Sequence, residues 1–126
     1  MNTEPIFVAP TLDLQHWVDY YVYRLHRKSF PVVADGHLQG LVTTRDLGRC
    51  PREEWSQHSV AEVMHKDVSA ISIAPDAEAL VALRKMQRAG TTRLLVTDSD
   101  HLLGIVTMND LLGFFRMKMG FDQFED

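Results

Sequence analysis

Residues 30–47 read FPVVADGHLQGLVTTRDL, and residues 94–111 read LLVTDSDHLLGIVTMNDL. Gly40 aligns with Gly104, Val42 with Val106, Thr43 with Thr107, Asp46 with Asp110 and Leu47 with Leu111, each pair 64 positions apart, and His37 and His101 keep the same offset. Upstream, Ile6, Val8 and Pro10 match Ile71, Ile73 and Pro75 at an offset of 65, so the first copy carries one additional residue in between. Two copies therefore fill nearly the whole chain. A duplication of this size restricts the fold to two like units, because one small supersecondary unit buries too little apolar surface to be stable alone.

Each copy changes its apolar period in the same order. IFVAP is a short extended piece ended by proline, after which Leu14, Trp17, Val18, Tyr21, Val22 and Leu25 fall on one face at helical spacing. FPVV and GLVT follow as strands around Asp35-Gly36, a pair suited to a tight hairpin, and Thr43 caps a shorter helix stopped by Gly48 and Pro51. The second copy predicts strand ISIAP, a helix over about residues 76–89, strands RLLVT and LLGIVT around a turn at 98–100, and a helix from Asn109 towards Met119. The expected fold class is α+β: two β-α-β-β-α repeats, residues 1–50 and 68–119, packed sheet to sheet with pseudo-twofold symmetry. Residues 51–67 are expected as a polar connector whose Val60, Val63 and Met64 form one apolar helical turn leading into the second copy, and residues 120–126 as a tail.

The element shared by both copies is G-h-h-T-x-x-D, present as GLVTTRD and GIVTMND. Glycine lets the backbone pass close to a neighbour or ligand, two apolar residues end a buried strand, and threonine stands where a helix begins. The aspartate three positions on lies in the first helical turn, so T-x-x-D is a capping-box variant in which the acid reaches back to a free amide. Capping alone explains one occurrence. Two occurrences at equivalent positions also fit twin clefts, each with helix-start amides suited to phosphate and a carboxylate able to accept both hydroxyls of a ribose.

Other chemistry finds little support in the sequence. A net charge of -4 supplies no broad cationic surface, which disfavours DNA or RNA held through phosphates. Cys50 is the only cysteine, so no internal disulfide can form, and nothing points to an oxidising compartment. The six histidines show no close pair at i, i+4 and no cysteine cluster, so no metal site is expected. The serines lack a G-x-S-x-G elbow, and there is no Walker loop or H-E-x-x-H. No catalytic residue is expected in this chain. No apolar run approaches the ~20 residues of a membrane helix, so the segment is expected to be soluble and cytoplasmic, without inserting in a membrane itself.

With the doubled G-h-h-T-x-x-D and the V-x-P and I-x-P strand openings at equal spacing, the sequence resembles the tandem CBS-domain pair, or Bateman module, over roughly residues 4–118. The resemblance implies a regulatory module that binds AMP, ADP, ATP or S-adenosylmethionine in clefts between repeats. By position it places Asp46 and Asp110 on the ribose and Thr43 and Thr107 near ribose or phosphate. Ile6, Val8, Val68, Ala70 and Ile71 would flank an adenine, and Lys28, Arg93 and Arg45 are the phosphate candidates. No cofactor is required beyond such a ligand.

A narrower resemblance lies in the connector CPREEWSQHSVAEVM and the end LLGFFRMKMGFDQFED, which look like those of CBS pairs attached to site-2-protease-type membrane zinc metalloproteases. That implies a cytosolic appendage whose catalytic zinc lies outside these residues. Aromatics Trp17, Tyr20, Tyr21 and Tyr23 crowd one helix on more than one face, and Phe114, Phe115, Met117 and Met119 load the last, which points to burial by the partner repeat and by a second copy in a homodimer, or, for the tail aromatics, equally to packing on other parts of a larger protein. Two functions follow: a nucleotide-sensing module controlling an attached domain, or a structural dimerisation module without ligand.

Overall fold

One additional residue in the first copy has a direct structural counterpart. The structure, a computed structural model, describes the chain through Glu125 and its side chains through Met119. The first copy's helix comprises α1 (Leu14–Trp17), a π-helical stretch (Val18–Val22) and α2 (Tyr23–Leu25), whereas its counterpart α4 (Ala79–Ala89) is regular throughout. A wide π turn is the standard way to house one inserted residue without rotating the flanking apolar face. The helix therefore still buries Leu14, Trp17 and Val18, as its spacing predicts. It ends at His26 in the left-handed conformation (φ 52°), the place Gly90 (φ 67°) takes after α4.

The chain divides into two units. The first contains Ile6–Val68 with Asp100–Leu102. In it β1 (Ser29–Ala34) and β2 (His37–Thr43) pair antiparallel from Ser29↔Thr43 to Ala34↔His37, with a register shift between Val32 and Val33. Asp35 (φ 53°) and Gly36 (φ 81°) both take the left-handed conformation that a two-residue hairpin turn demands. Val8 adds a parallel bridge to Val32. The core gathers the fully buried Leu14, Trp17, Phe30, Val32, Val42 and Val60. At the hairpin tip His37 pairs with His101, their rings 4.4 Å apart.

The expected connector is built into this unit. After a 3-10 stretch (Thr44–Arg49) and a second (Arg52–Gln57), α3 (Val60–Val63) buries Val60 and Val63 in the first copy's core. Asp13 bridges Ser59, and Leu41 bridges His65. Ser59 and Glu62 form a capping box over α3, and Glu62 also binds His58, Nδ1 to Oε1 at 3.1 Å. That hydrogen bond, with Glu54 nearby, raises the His58 pKa above its usual value. A proton held more tightly in the fold than in the open chain stabilises the fold below the unfolded value, and the gain is lost as pH rises through the folded one. His58→Gln is therefore expected to lower the melting temperature slightly near about pH 6 and to have no effect at about pH 8. Thermal melts of both proteins across that range check this.

The second unit contains Met1–Pro5, Ser69–Ser99 and the chain from Leu103 on. A 3-10 turn (Ser69–Ile71) leads into β3 (Ser72–Ile73), which pairs parallel with β4 (Arg93–Asp98), and β4 lies beside β5 (His101–Thr107). The core holds Ile73, Ala82, Met86, Leu94, Val96 and Leu111. Helix α5 (Met108–Glu125) continues past Met119, through most of the segment expected as a tail, and Asp126 lies outside the described residues. The fold is thus α+β with two like units, and no described helix is long and apolar enough to cross a membrane.

Candidate functional site

Both copies of T-x-x-D form the capping box their spacing predicts. Thr43 N and Oγ1 donate to Asp46 Oδ2 at 2.8 and 3.1 Å. Thr107 N donates to Asp110 Oδ2 at 2.9 Å, and Asp110 N donates to Thr107 Oγ1 at 3.2 Å. The Thr107 amide holds the Asp110 carboxyl below the usual carboxylate range, so it is ionised at neutral pH.

The glycine of each motif serves a neighbouring backbone. Gly40 faces the carbonyl of His65, and Gly104 faces the carbonyl of Asn2, each so close that a Cβ would overlap the oxygen. The two crossing segments are bound alike. Leu41 N donates to His65 O (2.9 Å) and His65 N to Leu41 O (2.8 Å), while Ile105 N donates to Asn2 O and Asn2 N to Ile105 O, both 2.9 Å.

The two carboxylates nevertheless differ. His65 Nε2 lies 2.8 Å from Asp46 Oδ1, and the Asp46 side chain is only 3% exposed. A buried carboxylate is tolerated because both its oxygens are engaged. Asp110 has no such imidazole: Asn2 instead turns its Oδ1 to Glu4 N at 3.0 Å, the Met1 amine stands 3.7 Å from Asp110 Oδ2, and 37% of the Asp110 side chain is exposed.

Among the described residues, the T-x-x-D motif of the second unit borders two cavities. Thr92, Arg93, Thr107, Met108 and Asn109 line one of about 300 Å³. Asp110 itself borders another of about 370 Å³, whose walls include Ile73, Pro75, Val106 and Phe114. The first joins a guanidinium, two threonines and the start of an 18-residue helix, a donor set suited to phosphate. The second joins one carboxylate to an apolar wall, which suits a sugar bearing a flat ring.

Of the residues singled out from the sequence, Arg93 and Thr107 line one cavity of the second unit and Asp110, hydrogen-bonded to Thr107, borders the other, with Ile71 half-buried against the core and Ala70 exposed beside the basic face of α4. The first unit holds Ile6, Val8, Lys28, Thr43, Arg45, Asp46 and Val68. There Val8 is fully committed to the core, Ile6 packs on it, Val68 is half-buried, and Lys28 and Arg45 are exposed. Matching backbone bonds fix the register between copies: Thr44 N donates to Lys28 O (2.9 Å) and Met108 N to Thr92 O (2.8 Å). Lys28 therefore corresponds to Thr92, and the counterpart of Arg93 is Ser29. Sequence reasoning missed His65, which no repeat identity marks because Asn2 takes the corresponding place.

Cys50 lies in the first unit's core, where burial pushes its thiol up, away from a reactive thiolate. Among the described residues no group of three histidines, cysteines or acids could hold a metal ion.

The CBS domain family matches residues 1–50 and 60–116, and the chain belongs to it, with two copies of the domain. CBS pairs are regulatory modules. Among curated relatives, arabinose 5-phosphate isomerase KdsD of Francisella tularensis is 40% identical over 84 residues, which is 64% of this chain and 25% of the isomerase. Zinc metalloprotease MJ0392 of Methanocaldococcus jannaschii is 28% identical over 112 residues, 89% of this chain and 30% of the protease. The chain thus spans less than a third of the length of these relatives. Among solved structures, AcuB from Vibrio cholerae matches with TM-score 0.77 and 26% identity over 98% of this chain and 91% of that one. The CBS domain of a bacterial CNNM/CorC family Mg2+ transporter in complex with ATP matches with TM-score 0.70 and 21% identity, covering 89% and 80%. The CBS pair of MJ0100, in complex with 5'-methylthioadenosine and S-adenosylmethionine, matches with TM-score 0.66 and 21% identity, covering 90% and 92%.

Proposed function

We propose that this CBS pair binds an adenosine-containing ligand (AMP, ADP, ATP or S-adenosylmethionine) and controls an attached domain by responding to it. The observation that carries the reading is Asp110: an ionised carboxylate, partly exposed at the start of α5 and bonded to Thr107, which with Arg93 lines a second cavity. Asp110 would accept the ribose hydroxyls, Arg93 and the α5 amides would meet phosphate, and the apolar wall beside Asp110 would hold the base. ATP in one structural neighbour and S-adenosylmethionine in another support the ligand class.

Control follows from differential affinity, since a ligand shifts the module only as far as it binds one arrangement better than another. The regulated activity we place in a domain joined to this chain. A membrane zinc metalloprotease of the site-2 type is the reading that its connector and final helix support, in company with the similarity to MJ0392.

Ligand binding stabilises by RT ln(1 + [L]/Kd), about 2.7 kcal/mol at a hundredfold excess over Kd. Melting temperature measured with AMP, ATP and S-adenosylmethionine is therefore expected to rise with at least one of them. Asp110→Ala is expected to abolish most of that rise while costing only about 1 kcal/mol of intrinsic stability through the lost cap. A flat response to all three ligands would favour the second reading, a structural homodimerisation module. The exposed Tyr20, Tyr23, Phe114 and Met117 support that reading. Sedimentation of the unliganded chain as a monomer counts against it.

A further inference from the structure

Resting on the nucleotide-binding reading above, we propose that the duplicated motif has divided its roles: Asp110 is the single nucleotide-binding carboxylate of this chain, and Asp46 is a closed latch, gripped by His65, that fastens residues 60–65 to the 3-10 stretch following β2. The two motifs start equal. Each has the same capping box, the same close-approach glycine and the same pair of backbone bonds to a crossing segment. The difference enters through one side chain of that segment. Where the second unit presents Asn2, the first presents His65, whose Nε2–H donates to Asp46 Oδ1 at 2.8 Å.

A ribose diol needs a carboxylate with lone pairs open to an approaching ligand. Asp46 already accepts from Thr43 N, Thr43 Oγ1 and His65 Nε2, and its side chain is 3% exposed. A ligand could reach it only by breaking the imidazole bond, and the His65 backbone is itself tied to Leu41 from both sides. Register shows that the loss lies at the carboxylate and not in the charge: Ser29 is the counterpart of Arg93, but the cations Lys28 and Arg45 are the counterparts of Thr92 and Asn109, which line the cavity in the second unit. The first copy has thus lost access to its carboxylate. The gain is structural: the Asp46–His65 bond joins two segments 19 residues apart.

Isothermal titration of the 126-residue chain with AMP, ATP and S-adenosylmethionine is expected to give one equivalent per chain. Asp110→Asn is expected to weaken binding by about tenfold or more, whereas Asp46→Asn and His65→Ala keep one equivalent with Kd within about threefold. Both of the latter should lower the melting temperature by several degrees, and the double variant should fall no further than the lower single, because the residues act as a pair. Two equivalents, a tenfold loss in Asp46→Asn, or additive melting losses overturn the assignment. If Asp46→Asn does not fold, His65→Ala carries the same comparison. If the folded wild type binds none of the three, the nucleotide reading fails with its single site, and the latch is judged by the melting cycle alone.

Discussion

Gly40→Ala is expected to cost about 3 kcal/mol of folding stability, far more than one methyl group usually does. The new Cβ would overlap the carbonyl oxygen of His65, with the His65 carbonyl carbon and Met64 Sδ each at 3.2 Å. The obstructing atom is backbone and cannot rotate away. It is held by the two bonds between Leu41 and His65, so relief requires the crossing segment to withdraw and give up both, at about 1 kcal/mol each, along with the grip of His65 on Asp46. Gly104→Ala should behave alike, because its Cβ would overlap Asn2 O and Asn2 is bound to Ile105 in the same manner. Gly48 is the control: nothing lies within 4 Å of its added Cβ and its φ is not positive, so Gly48→Ala should be neutral or slightly stabilising. Urea unfolding of the three variants ranks them directly. If Gly40→Ala were as stable as Gly48→Ala, the crossing segment would not lie against β2 as described.

The same glycines show what the sequence makes legible. Because Gly40 and Gly104 recur at a fixed offset beside T-x-x-D, a close approach and a cap can be inferred at each without knowing what approaches. The identity of the approaching strand is not legible, since His65 and Asn2 share no pattern and each contributes one bridging pair rather than a periodic strand. The contrast between the two carboxylates was hidden for that reason: Asp46 and Asp110 look equivalent in sequence, and a side chain 19 residues downstream separates them. Hairpin turns and helix faces could be read because they depend on neighbours at 2- or 3.6-residue periods. The π turn was recorded only as a change of offset from 64 to 65, which locates an insertion without saying whether a loop or a helix absorbs it. Helix α5 runs on because glycine inside a helix costs only about 1 kcal/mol, too little to end one by itself.

Trp17 is where that insertion matters most for stability, because it stands immediately before the π turn and has no exposed surface. Its ring meets Phe30 edge to face at 6.0 Å, and Tyr21 meets the same Phe30 ring edge to face, also at 6.0 Å. Trp17→Ala is expected to cost about 3–5 kcal/mol, the range for emptying a large aromatic site in a packed core, which is a large fraction of a small domain's stability. The indole Nε1 is buried and meets no hydrogen-bond partner among the described residues, so the native residue carries a desolvation cost of about 1–3 kcal/mol. Trp17→Phe removes that unpaired donor while keeping a ring against Phe30, and should therefore lose much less than the alanine variant. Guanidinium unfolding followed by circular dichroism separates the two. If phenylalanine proved as damaging as alanine, the filled volume beside the π turn would outweigh the polar penalty, and the indole would be retained for its shape alone.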